Sequence, residues 1–304
     1  MLAIVIPYYK KAFFEQVLNA LKNQTDKRFK VYIGDDASPE NPIFLLDKVK
    51  NDFIFDYHRF NENLGSISLV KQWERCIARS GDEEWIMVLG DDDLVDDNFV
   101  ASFYLHLEEV KRLGINVIRF ATVVINEYGE RLSKNHVHPK LEKSTDFLMR
   151  KFKGGTRSSL SEFVFKKKTL LEIRFKDLPL AWYSDYLAVL ECSYFSYIFT
   201  INDSLVYFRL SGLNITSKTD DLVLKSEGTF GFYYYLLSKK KHYFNSLQIN
   251  IICSKMEKVF LDNKKNIKFW LLISKLYLSN GWFKKYFNLF GSVSKYILKI
   301  KKND

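Results

Sequence analysis

Four short apolar runs, Ala3 to Ile6, Phe29 to Ile33, Phe53 to Tyr57 and Trp85 to Leu89, alternate with amphipathic stretches over the first ninety residues or so. Few folds accept that order. The first intervening stretch puts Phe13, Phe14, Val17, Leu18 and Leu21 on one helical face. Ile43 to Val49 is a second helix, and the turn-rich Asn61 to Gly65 leads into a third that ends near Ala78. Short strands separated by helices and short loops predict a mostly parallel sheet with helices on both faces, joined by right-handed crossovers.

Further along, the pattern loosens. Asn98 to Leu113 is helical, Val117 to Ile125 is a strand, Glu127 to Gly129 is a turn, and a polar stretch contains Gly154 and Gly155. Glu162 to Phe165 and Leu205 to Phe208 are strands, and Ser184 to Ser193 is a helix. From about Asp220 onward strand alternation disappears, and three or four helices rich in Lys, Tyr, Phe and Leu follow. A chain of 304 residues that is 47% hydrophobic with 5 Pro and 13 Gly has the core for this. The division is residues 1–219 as an α/β domain, with halves at about 1–113 and 114–219, and residues 220–304 as a helical extension.

Asp91, Asp92 and Asp93 follow the run Trp85 to Leu89 with only Gly90 between. Carboxylates at the carboxyl edge of an open α/β sheet sit where such sheets bind ligands, and hard oxygen donors suit Mg²⁺ or Mn²⁺. Acids also favour helix starts, so Asp92 to Asp97 equally fit a cap for the helix at Asn98, a role that suits Asp96 and Asp97. Tyr9 and Asp36 close two neighbouring strands. Together they offer an aromatic face and a polar edge to a nucleotide base. Trp182, Tyr183, Ser184 and Asp185 place an acid at a helix start among aromatics suited to stacking on sugar. His136 and His138 have no third ligand nearby, and no P-loop, GxGxxG or Ser-His-Asp order is present.

Taken in order, several motifs resemble the family 2 glycosyltransferases with the GT-A fold. They are Val5 to Lys10 with Pro7 and Tyr9, Asn23 to Thr25, Ile33 to Ser38, Asn61 to Gly65, Leu89 to Asp93, and Ser184-Asp185. The resemblance covers roughly residues 1–215. Lys10 stands where the family commonly has Asn, and Ala37 where Gly is usual. The resemblance implies a GT-A, Rossmann-like α/β domain and transfer of a sugar from a nucleotide diphosphate donor, a UDP-sugar by type. It implies that Pro7, Tyr9 and Asp36 bind the nucleotide, with Asp36 accepting from the ring N–H of a uracil-type base. Asp93 would hold a Mn²⁺ or Mg²⁺ ion, Asp91 or Asp92 would face the donor sugar, and Lys71 would lie near the diphosphate. Arg209, with Asn214 and Ser217 behind it, resembles a loop closing over the phosphates. An inverting transfer needs a base for the acceptor hydroxyl, and Asp185 is the candidate.

Charge is uneven. Residues 220–304 hold 16 Lys, no Arg and 6 acids, a net of +10, which is the net charge of the whole chain. The lysines interleave with Tyr233 to Tyr235, Phe269 to Ile273, Trp282-Phe283 and Tyr286-Phe287. No apolar run approaches the roughly 18 to 20 residues of a spanning helix, so the expectation is peripheral contact with an anionic bilayer. Nucleic acid is not expected, because phosphate and base readout favour the guanidinium. Cys76, Cys192 and Cys253 are far apart and odd in number, which fits a reduced, cytoplasmic setting at the inner face of the membrane. The chain thus reads as a glycosyltransferase acting on a glycan or lipid-linked glycan. The rival is a non-catalytic membrane or nucleic-acid adaptor on a similar scaffold. A nucleotidyltransferase should carry a glycine-rich first loop, which Tyr8 to Ala12 lacks.

Overall fold

The structure is a computed structural model that describes residues 1–212 and 221–300, with side chains through residue 291. Contacts divide the chain into two compact units: Met1–Asp177 with Ser184–Asp220, and Leu178–Tyr183 with Asp221–Asp304. The first unit begins with β1 (Leu2–Tyr8), α1 (Phe14–Lys22), β2 (Phe29–Asp35), α2 (Ile43–Val49), β3 (Ile54–Arg59), α3 (Leu69–Ile77) and β4 (Trp85–Val88). It continues with β5 (Leu94–Val95), α4 (Phe99–Arg112), β6 (Val117–Ile125), β7 (Leu141–Lys143), α5 (Ser144–Phe152), β8 (Phe163–Lys166), α6 (Lys167–Ile173), α7 (Ser184–Cys192) and β9 (Tyr197–Arg209). The strands form a single sheet in the order β3-β2-β1-β4-β8-β6-β9-β5, with β7 on β9. From β3 to β4 every ladder is parallel, as is β6 with β9, while β8, β5 and β7 pair antiparallel.

Strand parity explains how both faces are covered. Leu2, Ile4 and Ile6 of β1 and Phe29, Val31 and Ile33 of β2 join one core with Val17, Leu18 and Leu21 of α1 and Phe99, Phe103 and Val110 of α4. Gly34 has the opposite parity and meets α3: a Cβ there would lie 2.2 Å from Cys76 Sγ, so only hydrogen fits. Pro7 lies inside β1, one residue beyond the expected strand end. Val5 O accepts from Leu89 N and Tyr8 O from Asp36 N, so odd positions face β4. The β1–β4 ladder stops at Val5↔Val88, which leaves the missing N–H of Pro7 nothing to break.

A second periodicity effect sets the other half. The β6 register shifts between Phe120 and Ala121, so Arg119 before the bulge and Thr122 after it share a face. The polar stretch read as a loop contains β7 and α5, because Leu141–Lys143 pairs with β9 at the far sheet edge.

The second unit contains α8 (Leu222–Lys239), α9 (Ser246–Asp262), α10 (Ile267–Ser279) and α11 (Phe283–Ile300). Asn245 and Asn266 cap α9 and α10. Phe230 stacks on Phe269 at 4.0 Å between centroids, and Leu236, Ile252, Met256, Phe260 and Ile273 complete the core. Among the described residues no helix is long and apolar enough to cross a membrane. The three cysteines are buried and unpaired.

Candidate active site

β1 and β2 pair in register to Tyr8↔Asp35, so Tyr9 and Asp36 leave the sheet side by side at its carboxyl edge. Asp35 is fully buried and accepts from Ser38 N (2.8 Å), Tyr57 Oη (2.6 Å) and Arg59 Nη1 (2.8 Å). Asp36 accepts from Leu64 N (2.8 Å), Gly65 N (2.9 Å) and the Arg75 guanidinium. Burial raises the Asp36 pKa, against the pull of those two amides and Arg75. A Cβ on Gly65 would stand 2.4 Å from Asp36 Oδ2, which gives the Asn61 to Gly65 turn its reason. Ala37, where glycine is usual, takes φ +52°, a left-handed conformation that costs an L-residue about 1 kcal/mol.

Tyr9 is 37% exposed, and its backbone is held from two sides. Its N–H and that of Lys10 both donate to Asp91 Oδ2 at 2.8 Å, and its carbonyl accepts from Ser38 Oγ. Asp91 therefore ties the end of β4 to the end of β1. Asp93 is buried, accepting from Ser161 Oγ at 2.5 Å and from Arg209 N at 2.9 Å. The Asp92 carboxylate has no hydrogen-bond partner among the described residues. Burial pushes all three carboxyls up, and for Asp92, with Asp93 and Asp91 adding repulsion, it does so to about 8. Lys10 and Arg209 oppose that rise.

Among the described residues no three His, Cys, Asp or Glu side chains converge as a metal cage. The donor set nevertheless fits a hard cation, because Mg²⁺-type sites use one or two carboxylates plus substrate phosphates. Asp92, half-buried among like charges and carrying no hydrogen bond, is the carboxylate with capacity for it.

Asp185 opens α7, and burial pushes its carboxyl up to about 6, against the amides of Tyr186 and Asp185 and the charges of Lys151 and Arg157. The same Arg157 favours the ionised form of Asp93. Its guanidinium lies over Phe208 (4.0 Å) and 3.8 Å from Glu162, whose carboxyl burial pushes up to about 7. Behind it lies a network in which Glu142 accepts from Arg119 (2.9 Å) and twice from Arg150, while Arg150 also bonds His138 Nδ1 at 2.7 Å. Burial, then Arg119 and Arg150, holds His138 neutral. Arg119 Nε and Nη1, Thr122 Oγ1, His136 Nε2, His138 Nε2, Arg157 Nη1 and Glu162 Oε1 are buried without a hydrogen-bond partner among the described residues.

Several expectations change. Arg209 does not close over phosphates: it is fully buried and donates to Asp92 O (2.9 Å), Asn126 O (3.0 Å), Glu127 O (3.1 Å) and Gln16 Oε1 (2.7 Å). It is a strut under the triple aspartate. Asn214 and Ser217 lie outside the described residues. Lys71 is exposed in the first turn of α3, and its side chain meets none of the acids among the described residues; Arg75, one turn on, is a cation that reaches Asp36. Asp96 does not cap α4 with its side chain but accepts from Leu205 N (2.7 Å) and Tyr207 Oη (2.6 Å). Tyr183 stacks one ring face on Phe232 at 4.5 Å. The Asn23 to Thr25 motif is explained by Gln24, which donates to Asp96 O (2.7 Å) and accepts from Val100 N (3.0 Å) to fix the start of α4.

Sequence reasoning missed Lys10, Arg75, Ser161 and Arg157 as parts of the site. Only Arg75 carried a signal, its four-residue spacing from Lys71 on one helix. Lys10 and Arg157 lie in loops and Ser161 in the short 3-10 helix Leu160–Glu162, segments whose destination is set by the sheet.

The Glycosyl transferase family 2 model matches residues 3–169. The chain belongs to that family, and its catalytic unit is a glycosyltransferase of the GT-A fold. Among solved structures it is similar to S. aureus TarS 1-349 in complex with UDP-GlcNAc, with TM-score 0.65 and 15% identity over 85% of this chain and 72% of that one. It is also similar to S. aureus TarS 1-349 in complex with UDP, with TM-score 0.61 and 14% identity over 87% of this chain and 73% of that one. No curated protein matches the chain.

Proposed function

We propose that the protein transfers a sugar, with inversion, from a UDP-sugar to a hydroxyl of a glycan or lipid-linked glycan, assisted by Mn²⁺ or Mg²⁺. The reading is supported most by one observation: Asp91 and Asp93 are tied into the fold while Asp92, between them, has its carboxylate unengaged. Tyr9 and Asp36 serve the base, and the Asp92 carboxylate faces the donor diphosphate, one residue from the Asp93 assignment that the family resemblance implies. When bound, a divalent cation supplies Lewis-acid neutralisation of the charge that grows on the leaving diphosphate. Asp185 takes the proton from the acceptor hydroxyl as that oxygen attacks the anomeric carbon from the face opposite the diphosphate. The bond from that carbon to the donor phosphate oxygen breaks, and its electron pair leaves on the diphosphate.

A carboxyl near 6 is ionised at neutral pH yet basic enough to accept a proton, as the role requires. The lipid-linked acceptor and the placement at the inner membrane face rest on the basic helical unit and the unpaired cysteines. The test is thermal stabilisation by a panel of nucleotide sugars, with and without Mn²⁺. UDP-sugars should stabilise the wild type only with the cation. Asp92→Asn should lose the cation-dependent part, on the order of a hundredfold in donor affinity. Unchanged Mn²⁺-dependent binding in Asp92→Asn, with loss in a still-folded Asp93→Asn, would return the assignment to Asp93.

A further inference from the structure

The second unit carries apolar side chains in a pattern its own core does not use. On α10, Phe269, Ile273, Leu276 and Tyr277 are buried, while Ile267, Leu271 and Leu278 on the opposite side are 67%, 66% and 47% exposed. At 100° per residue those three fall within about 40° of one another, a single stripe along the helix. α11 repeats the arrangement: Leu289 is buried, and Phe283 and Phe287, one turn apart, are 55% and 69% exposed. Lys268, Lys275 and Lys284 border the stripes, each some 80 to 100° around its helix from the start of the apolar row. Scattered exposed hydrophobics need no explanation, but two such rows with one lysine border do.

We infer that the α10–α11 face is a docking surface for an anionic bilayer, with Leu271 and Phe287 reaching the acyl boundary and the lysines the headgroups. This deepens the membrane part of the proposed function by naming the surface, and its test does not depend on sugar transfer. Charge decides among occupants. A second copy would bring two such +10 regions face to face, which like-charge repulsion opposes. A nucleic acid would use aromatic platforms and guanidinium groups, whereas the rows are largely aliphatic and the region contains no arginine. An anionic lipid surface satisfies both rows at once, apolar depth and cationic rim.

The experiment is co-flotation of the full chain with vesicles of phosphatidylcholine alone and of phosphatidylcholine mixed with phosphatidylglycerol. The protein should float with the anionic vesicles, less so as salt rises, and not with the neutral ones. Leu271→Glu with Phe287→Glu should weaken flotation by about tenfold or more, and each of Lys268→Gln, Lys275→Gln and Lys284→Gln by roughly fivefold. All these positions are exposed, and unchanged stabilisation by UDP-sugar with Mn²⁺ reports that the fold is intact. Equal flotation with neutral vesicles, none with either, or full flotation of the double variant would overturn the inference. So would a dimer in light scattering that Leu271→Glu dissociates, since it would assign the face to a second copy. Failure of UDP-sugar binding with normal flotation would instead strike only the donor reading.

Discussion

The carboxyl edge of β1, β2 and β4 and the region around Arg157 treat their buried polar groups in opposite ways. At the carboxyl edge, Asp35, Asp36, Asp91 and Asp93 are each held by two or more hydrogen bonds, many from backbone amides. Around Arg157, by contrast, seven buried polar atoms of Arg119, Thr122, His136, His138, Arg157 and Glu162 have no hydrogen-bond partner among the described residues. Buried polar groups in folded proteins are ordinarily completed, by protein, water or ligand. The carboxyl edge is thus held by the chain itself, whereas around Arg157 the protein groups among the described residues do not complete every buried polar atom.

The largest expected effect tests the Arg157 side. Asp185→Asn should lower transfer about a thousandfold while leaving UDP-sugar binding intact. In the wild type the rate should rise with pH through about 6 as Asp185 ionises. A rate flat across that range would show that another group takes the proton.

Arg209→Met removes the strut from the carboxyl edge. Losing a buried cation beside Asp92 and Asp93 should cost about 3 to 5 kcal/mol in denaturant unfolding. A smaller loss would mean that the triple aspartate is held from elsewhere. The contrast between the two regions is sharpest for two hydroxyls. Ser161→Ala leaves Asp93 and the Gly90 amide short of a partner and should cost about 1 to 3 kcal/mol. Thr122→Val removes a hydroxyl with no hydrogen-bond partner among the described residues, so a change within about 1 kcal/mol of zero is expected. Equal losses would end the distinction between the two regions.

The last effect is in pH. Asp185 and Asp92 have carboxyls raised to about 6 and about 8, so the folded state holds protons that the unfolded chain has already released. For an acid raised in this way the folded state is favoured at low pH, and stability falls as pH climbs from about 4 toward 8. Melting at pH 8 should therefore recover more on adding Mn²⁺ and UDP than melting at pH 5 does. An equal gain at both would separate the cation from Asp92.

Much of this was legible before any coordinates. The period of the apolar runs located β1 to β4, α2 and β6 because a buried strand must be continuously apolar and a half-buried helix must not be. The acids at strand ends marked a candidate site because open α/β sheets expose that edge. What sequence could not reach was the division of labour within Asp91 to Asp93. Three adjacent identical residues differ only in what comes to meet them: the β1 turn for Asp91, Ser161 and Arg209 for Asp93, and no protein group described for Asp92. Arg209 went from phosphate clamp to buried strut for the same reason, since its partners come from α1, the β4 loop and the turn after β6. Alternation and residue chemistry are local properties, and they determined the fold class and where a candidate site would lie. Which carboxylate is left with capacity is a property of distant segments converging, and only the tertiary structure decided it.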